Sequence, residues 1–287
     1  MSIVRYADAE GHPRVGVRLN DRVHPVDGVE IASLLRLSSD ELRQRIEDAV
    51  AGASLPVSQL TLLAPIDGRT EVWGAGVTYF RSREARMEES RFDRVYLDVY
   101  DADRPELFFK SPAWRVLGDG DSGGMRHDST DSIPEPEVAI IVNSRAEIVG
   151  GLICNDFTSR SIEAENPIYL PQAKTFTGSC ALSSEIVPWW ELEHPADLTI
   201  SLDIRRSGST WFEGSASTSA MKRSYQELVD WLFAATDFPD GAVLSTGTCI
   251  VPELGQRMIE GDEVTVRVDQ LGSLTTTMAF AGPGREA

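Results

Sequence analysis

Cysteine and histidine are both scarce in this chain, three of the first and four of the second in 287 residues. Cys154, Cys180 and Cys249 lie far apart and form no C-x-x-C pair, so no disulfide framework or zinc cage is written here. A reducing, cytoplasmic setting is expected. His12, His24, His127 and His194 have neither a histidine nor a cysteine close by in sequence, which argues against a histidine-based metal or nucleophilic site. Positive charge is also short: 27 Lys and Arg face 45 Asp and Glu, a net charge of −18. A field of that sign repels phosphate backbones and anionic lipid surfaces, so neither nucleic acid nor membrane is an expected partner. No apolar run approaches 18 residues, and the N-terminal MSIVRYADAEGHPR has no basic segment followed by an apolar one, so no span or export signal is expected. The strings GxxxxGK[ST] and HExxH are missing. Gly74-Ala75-Gly76 starts a dinucleotide fingerprint that fails at its third glycine, where Tyr79 stands.

What is present is a globular composition, 41% hydrophobic and 25% charged. A chain of this length buries about three-quarters of its unfolded surface and needs no staple to fold. Residues 3–27 alternate apolar and polar positions around Gly11 and Asn20-Asp21, predicting a small meander. Ser38-x-x-Glu41 is a capping box ahead of Leu42, Ile46 and Val50, predicting an amphipathic helix. The stretch 56–67 reads as a linker, which places a boundary between a small N-terminal domain, 1–67, and a larger one, 68–287. In the larger part, 72–77 reads as a strand and 82–99 as a densely charged helix, either a cover over something or a solvated face. Residues 118–134 read as loop. Strands follow from 136, with a hairpin about 143–146 and further strands at 184–188, 197–206, 243–251, 263–269 and 273–280. A second capping box, Ser224-x-x-Glu227, opens a helix. Mostly antiparallel β with few helices is the expected class.

The chemistry concentrates at Pro134-Glu135-Pro136-Glu137, which runs into Val138-Ala139-Ile140-Ile141-Val142. Carboxylates two residues apart on a strand share a face, a costly arrangement unless a cation neutralises them. A hairpin turning at Ser144 and Arg145 sets Glu137 opposite Leu152 and Glu135 opposite Cys154, with Asp156 diagonal to the glutamates. Three hard oxygen donors suit Mg²⁺ or Mn²⁺ better than zinc, the alternative reading being a solvated acidic strand end.

At this point the residues resemble the fumarylacetoacetate hydrolase family. The resemblance is carried, in order, by Glu135-Pro136-Glu137-Val138, Cys154-Asn155-Asp156-Phe157-Thr158-Ser159-Arg160, Lys174-Thr175-Phe176, Ser245-Thr246-Gly247-Thr248 and Glu260-Gly261-Asp262-Glu263-Val264, over about residues 70–280. It implies an α+β, mostly β fold, a mixed β-sandwich roll with a small N-terminal α/β domain. It also implies a divalent metal on Glu135, Glu137 and Asp156, a functional Lys174, and substrate contact at Gly247 and Thr248. Hydrolytic members resemble G-x-N-Y-x-x-H, whereas this chain has Gly76-Val77-Thr78-Tyr79-Phe80-Arg81-Ser82, without the histidine base. The short interval from Glu137 to Asp156, the string just quoted, and Pro105-Glu106-Leu107-Phe108-Phe109-Lys110 resemble instead the branch that dehydrates 2-keto-3-deoxypentonates. The implied reaction is Mg²⁺-dependent dehydration to 2,5-dioxopentanoate by a hydro-lyase, with a small 2-keto acid as substrate. Lys174 and Glu106 are the candidate acid and base; Lys110, Arg81, Ser82 and Tyr79 are candidate substrate contacts. The alternative within the family is acylpyruvate hydrolysis or oxaloacetate decarboxylation. The resemblance further implies a homodimer or homotetramer, for which Val187-Pro188-Trp189-Trp190 offers apolar surface.

Overall fold

In the computed structural model, which describes residues 1–89 and 98–282, the acidic strand lies at the centre of the largest sheet. Pro136–Val142 pairs on one side with Ile148–Asp156 and on the other with Ala242–Ser245. From these the twelve-stranded sheet extends through Glu71–Gly76 to Glu106–Pro112 at one end. At the other end it passes through Glu185–Pro188 to Ser2–Ala7, Pro13–Leu19, Arg22–Pro25 and Leu55–Pro56. A second sheet orders Ser209–Ser217, Thr199–Arg206, Glu263–Val268, Gly272–Phe280 and Ser122–Met125. Pairing is antiparallel except between Ala242–Ser245 and Glu71–Gly76 and between Gly272–Phe280 and Ser122–Met125.

The unbroken apolar run of Pro136–Val142 has a simple cause: both its faces are covered, so neither tolerates charge. Val138, Ile140 and Val142 face the second sheet, among Ile200, Leu202, Val264 and Val266. Ala139 and Ile141 face the other way, among Leu42 and Ile46 of the helix Ser39–Val50. That helix begins as its sequence dictates, with Ser38 and Glu41 capping each other reciprocally. The second box closes by half. Ser224 accepts from the Glu227 amide at the head of Tyr225–Leu232, while the Glu227 carboxylate pairs with Arg223 at 2.5 Å.

Several expectations need correction. The hairpin register is offset by two: Glu137 faces Cys154, not Leu152, and the Asp156 amide donates to the Glu135 carbonyl at 2.9 Å. Asn143 explains the shift. Its Oδ1 accepts from the amides of Arg145 and Glu147, widening the turn, and a bulge follows between Ile141 and Val142. The stretch 56–67 is not only linker, because Thr61–Leu62 pairs with Tyr6 and Ala7. The predicted loop 118–134 holds two strands, Ser122–Met125 and Ser132–Ile133. The strand expected to reach 251 stops at Ser245. The charged helix starts at Phe80 and runs to Glu89; residues 90–97 of that run lie outside the described residues. Val187, Trp189 and Trp190 are half-buried and Pro188 is buried, so they offer little open apolar surface: Trp189 meets Tyr225 edge-on and Trp190 lies under Arg43. The string Gly120-Asp121-Ser122-Gly123-Gly124 spells the G-x-S-x-G pattern of hydrolase nucleophiles, but Ser122 opens a strand rather than a strand-to-helix turn.

Candidate active site

The wider turn has a direct consequence at the far end of the hairpin, where it sets Asp156 beside Glu135 rather than diagonally away. Carboxylate oxygens of Glu135, Glu137 and Asp156 all lie within 4.8 Å of one another, and all three residues are buried. Each is held by chemistry the sequence supplies nearby. Glu137 Oε2 accepts from the Ser245 hydroxyl at 2.5 Å and from the Gly247 amide at 2.8 Å. Burial first, then the charges of Asp156 and Glu135, push its carboxyl up to about 8. Lys174 pairs with Glu135, donates to Thr158 Oγ1 at 2.8 Å and reaches Asp156 Oδ2 at 3.3 Å. Lys110 pairs with the other oxygen of Asp156. Once all three are ionised, three carboxylates against two ammonium groups leave a deficit of positive charge, and every donor in the set is a hard oxygen. The residues therefore fit a small divalent cation such as Mg²⁺.

The triad forms one wall of a cavity. Also lining it are Gly76, Val77, Ser82, Glu106, Phe108, Glu163, Lys174, Gly247 and Thr248. Glycine makes the fit possible at two places. A Cβ on Gly76 would lie 2.1 Å from Glu106 Oε2, so the carboxylate rests directly over that glycine. Gly247 has φ +97, and a Cβ there would meet Thr78 Oγ1 at 2.0 Å and the Ala75 carbonyl at 2.9 Å. Val77, at φ 52, holds a left-handed conformation costly for a β-branched residue, and it does so in the cavity wall.

Of the residues singled out by sequence, Glu135, Glu137, Asp156, Lys174, Glu106, Ser82, Gly247 and Thr248 line this one cavity. Thr248 Oγ1 is engaged by backbone, donating to the Pro136 carbonyl at 3.0 Å. Three others stand elsewhere. Tyr79 is buried in the core, its hydroxyl without a hydrogen-bond partner among the described residues. Arg81 is solvent-exposed and 3.7 Å from Glu84. Lys110 is wholly buried behind the wall. Sequence reasoning missed Glu163, Phe108 and Ser245. Glu163 sits in Arg-Ser-Ile-Glu-Ala-Glu, which reads as a polar surface helix; the signal that could have found it is position, in the first turn of the helix that follows Asp156. Phe108, whose ring occupies the space over Gly74, packs 5.4 Å from Lys174 Nζ.

Comparison with known proteins places this geometry in context. Residues 72–279 match the family described as fumarylacetoacetate (FAA) hydrolase C-terminal. A probable 2-keto-3-deoxyxylonate dehydratase of Haloferax volcanii is 41% identical over 253 residues, covering 88% of this chain and 86% of that one. A 2-dehydro-3-deoxy-D-arabinonate dehydratase of Saccharolobus solfataricus is 37% identical over 268 residues, 90% and 89% of the two chains. Among solved structures, 2-keto-3-deoxy-D-arabinonate dehydratase complexed with magnesium and 2,5-dioxopentanoate superposes with a TM-score of 0.85 at 32% identity, over 99% of this chain and 100% of that one.

Proposed function

The chain belongs to the fumarylacetoacetate hydrolase family, and from that premise we propose that it is a hydro-lyase that dehydrates a 2-keto-3-deoxypentonate to 2,5-dioxopentanoate with Mg²⁺. One observation carries the reading. The cavity joins a carboxylate triad to Lys174 and Glu106 and, among the described residues, has no histidine in its wall, which favours proton transfer to and from a carbon acid over the usual activation of water. The relatives reported above act on, or in one case hold, these same molecules.

Glu135, Glu137 and Asp156 would hold Mg²⁺, which supplies Lewis-acid polarisation of the substrate ketone and so acidifies C3–H. Lys174 and Glu106 divide the proton transfers, one taking the C3 proton and the other protonating the departing C4 hydroxyl. Loss of water leaves an unsaturated 2-keto acid, and a proton moved from C5 to C3 gives the enol of the product aldehyde. Gly247 allows close approach of backbone, and Ser82 and Thr248 bound the space the substrate fills. Lys110, wholly buried behind the wall, is assigned no substrate contact; nor is Tyr79, buried in the core, or Arg81, on the surface. Hydrolysis of acylpyruvates is the weaker reading, since no histidine among the described residues lines the cavity. The likeness to a maleylpyruvate hydrolase from Sphingobium, at 18% identity and a TM-score of 0.72, speaks to the fold alone. The same reading includes a cytoplasmic location and a homodimeric or homotetrameric assembly, which light scattering on the purified protein tests, with residues 1–67 as an N-terminal unit and 68–287 as the catalytic one.

The experiment is steady-state turnover of both C4 epimers of 2-keto-3-deoxypentonate with Mg²⁺ or EDTA, the aldehyde being followed through an NADP-linked semialdehyde dehydrogenase. Aldehyde formation that EDTA and Glu137→Gln abolish is expected. No aldehyde from either epimer sinks the assignment.

A further inference from the structure

Resting on the reading of Lys174 as a proton-transfer group, we propose that Lys110 is a positioning residue, a buried staple that fixes Lys174 and Asp156 relative to one another. The first observation is where it sits. Val72 pairs with Ser111 and Trp73 with Phe109, so Lys110 is the extra residue of a β-bulge in the strand Glu106–Pro112. A bulge leaves one residue outside the ladder and re-aims its side chain, here into the protein. The second observation is what its ammonium meets. Lys110 donates to the Phe157 carbonyl at 3.0 Å and to the Lys174 carbonyl at 2.6 Å, and it is ion-paired with a carboxylate oxygen of Asp156. With 0% exposure and a place outside the cavity lining, it does not face the space a substrate would fill.

The identity of the acceptors says what the staple does. The Lys174 carbonyl is the last of the helix Leu170–Lys174, one of the terminal carbonyls that a helix leaves without an internal partner. Asp156 and Phe157 mark the end of the central hairpin. One ammonium therefore joins the hairpin end to the helix end, and the Lys174 side chain leaves that helix end to meet Glu135, Asp156 and Thr158. Removing the staple frees the helix end, and a displacement of about 1 Å in a reacting group costs roughly 100-fold in rate.

Lys110→Met, which keeps length and removes the donors, tests this. The expected result is a kcat lower by about 100-fold with the KM for the 2-keto acid within about threefold of wild type. Mg²⁺ measured by calorimetry is expected to bind at least as tightly as before, because a positive charge beside Asp156 has gone. In a crystal structure of the variant, Lys174 Nζ is expected to have left Thr158 Oγ1. A raised KM with kcat kept would return Lys110 to substrate binding and overturn the inference, as would activity restored by saturating Mg²⁺ or a Lys174 that has not moved. If Lys110→Met does not fold, Lys110→Arg carries the test, with about tenfold lower kcat, unchanged KM and a displaced Lys174 expected; full activity with Lys174 in place overturns the proposal. The crystallographic reading needs no substrate, so failure of the wild-type protein to make aldehyde would sink the proposed reaction while leaving the staple to be judged on the position of Lys174.

Discussion

Gly76 and Gly247 make the same demand for space but fail differently when it is refused. The atom that a Gly76→Ala methyl would strike is the end of a flexible glutamate. Glu106 can swing aside, so the variant is expected to keep its melting temperature within a few degrees and to lose at least tenfold in kcat. Gly247→Ala meets a carbonyl and takes a left-handed φ, and its amide also holds Glu137. It is expected to lose activity and about 1–3 kcal/mol of stability together, read by thermal denaturation alongside turnover. Glu137, at about 8, carries a proton at neutral pH until a cation arrives. Its pKa is raised, so the protonated form persists as pH falls below 8, and Mg²⁺ affinity is expected to rise with pH through that value. Calorimetry in buffers of differing ionisation heat would show proton release on binding; uptake without release would contradict it. At this scale E-x-E alone reads equally as a solvated acidic strand end, and the carboxylates became legible because Asn155-Asp156 follows on the returning strand of the hairpin. The sequence could not announce Lys110's burial, because its destiny depends on a bulge that no local pattern encodes.

Secondary elements were legible where a local rule decides them and opaque where packing does. The capping box Ser38-x-x-Glu41 delivers its helix, and Ser38→Ala is expected to cost about 1 kcal/mol in chemical denaturation. Pro136–Val142 was equally plain from its apolar run. The strand Ser122–Met125 was hidden because its Gly123 and Gly124 look like loop residues. They serve contact instead: a Cβ on Gly123 would press the Phe157 ring at 3.0 Å, and one on Gly124 would lie 2.2 Å from the Thr177 carbonyl. The hairpin register failed for a related reason, since Asn143 widens the turn through bonds that only the folded loop displays.

Across the whole molecule, Asp240 ties distant parts of the chain together. It accepts from Arg36 at 2.8 Å and from Arg69 at 3.1 and 3.2 Å, and its own carbonyl accepts from Thr70. Hydrogen bonding by Arg69, then by Arg36, against the opposing pull of burial, holds its carboxyl down at about 2 from an ordinary 3.8. A depressed pKa gives stability that is present above the unfolded value and lost as pH falls towards 2. Solvent screens both arginines, so the contribution is on the order of 1 kcal/mol. Asp240→Asn is expected to show that deficit at pH 7 and to match the wild type near pH 2; an equal deficit at both would refute the ion-pair origin.

The same scale holds the pairing of Ile3 with Ile186, which inserts the first strand into the middle of a sheet otherwise made by later sequence. During synthesis at 5–20 residues per second, Ser2–Ala7 waits roughly 10–40 s before that partner has been made. A strand with one unmade edge is a template for pairing with a neighbouring chain. For this protein the interval between the second residue and the hundred-and-eighty-sixth is therefore when crowding, temperature and chaperone supply decide the yield of folded enzyme.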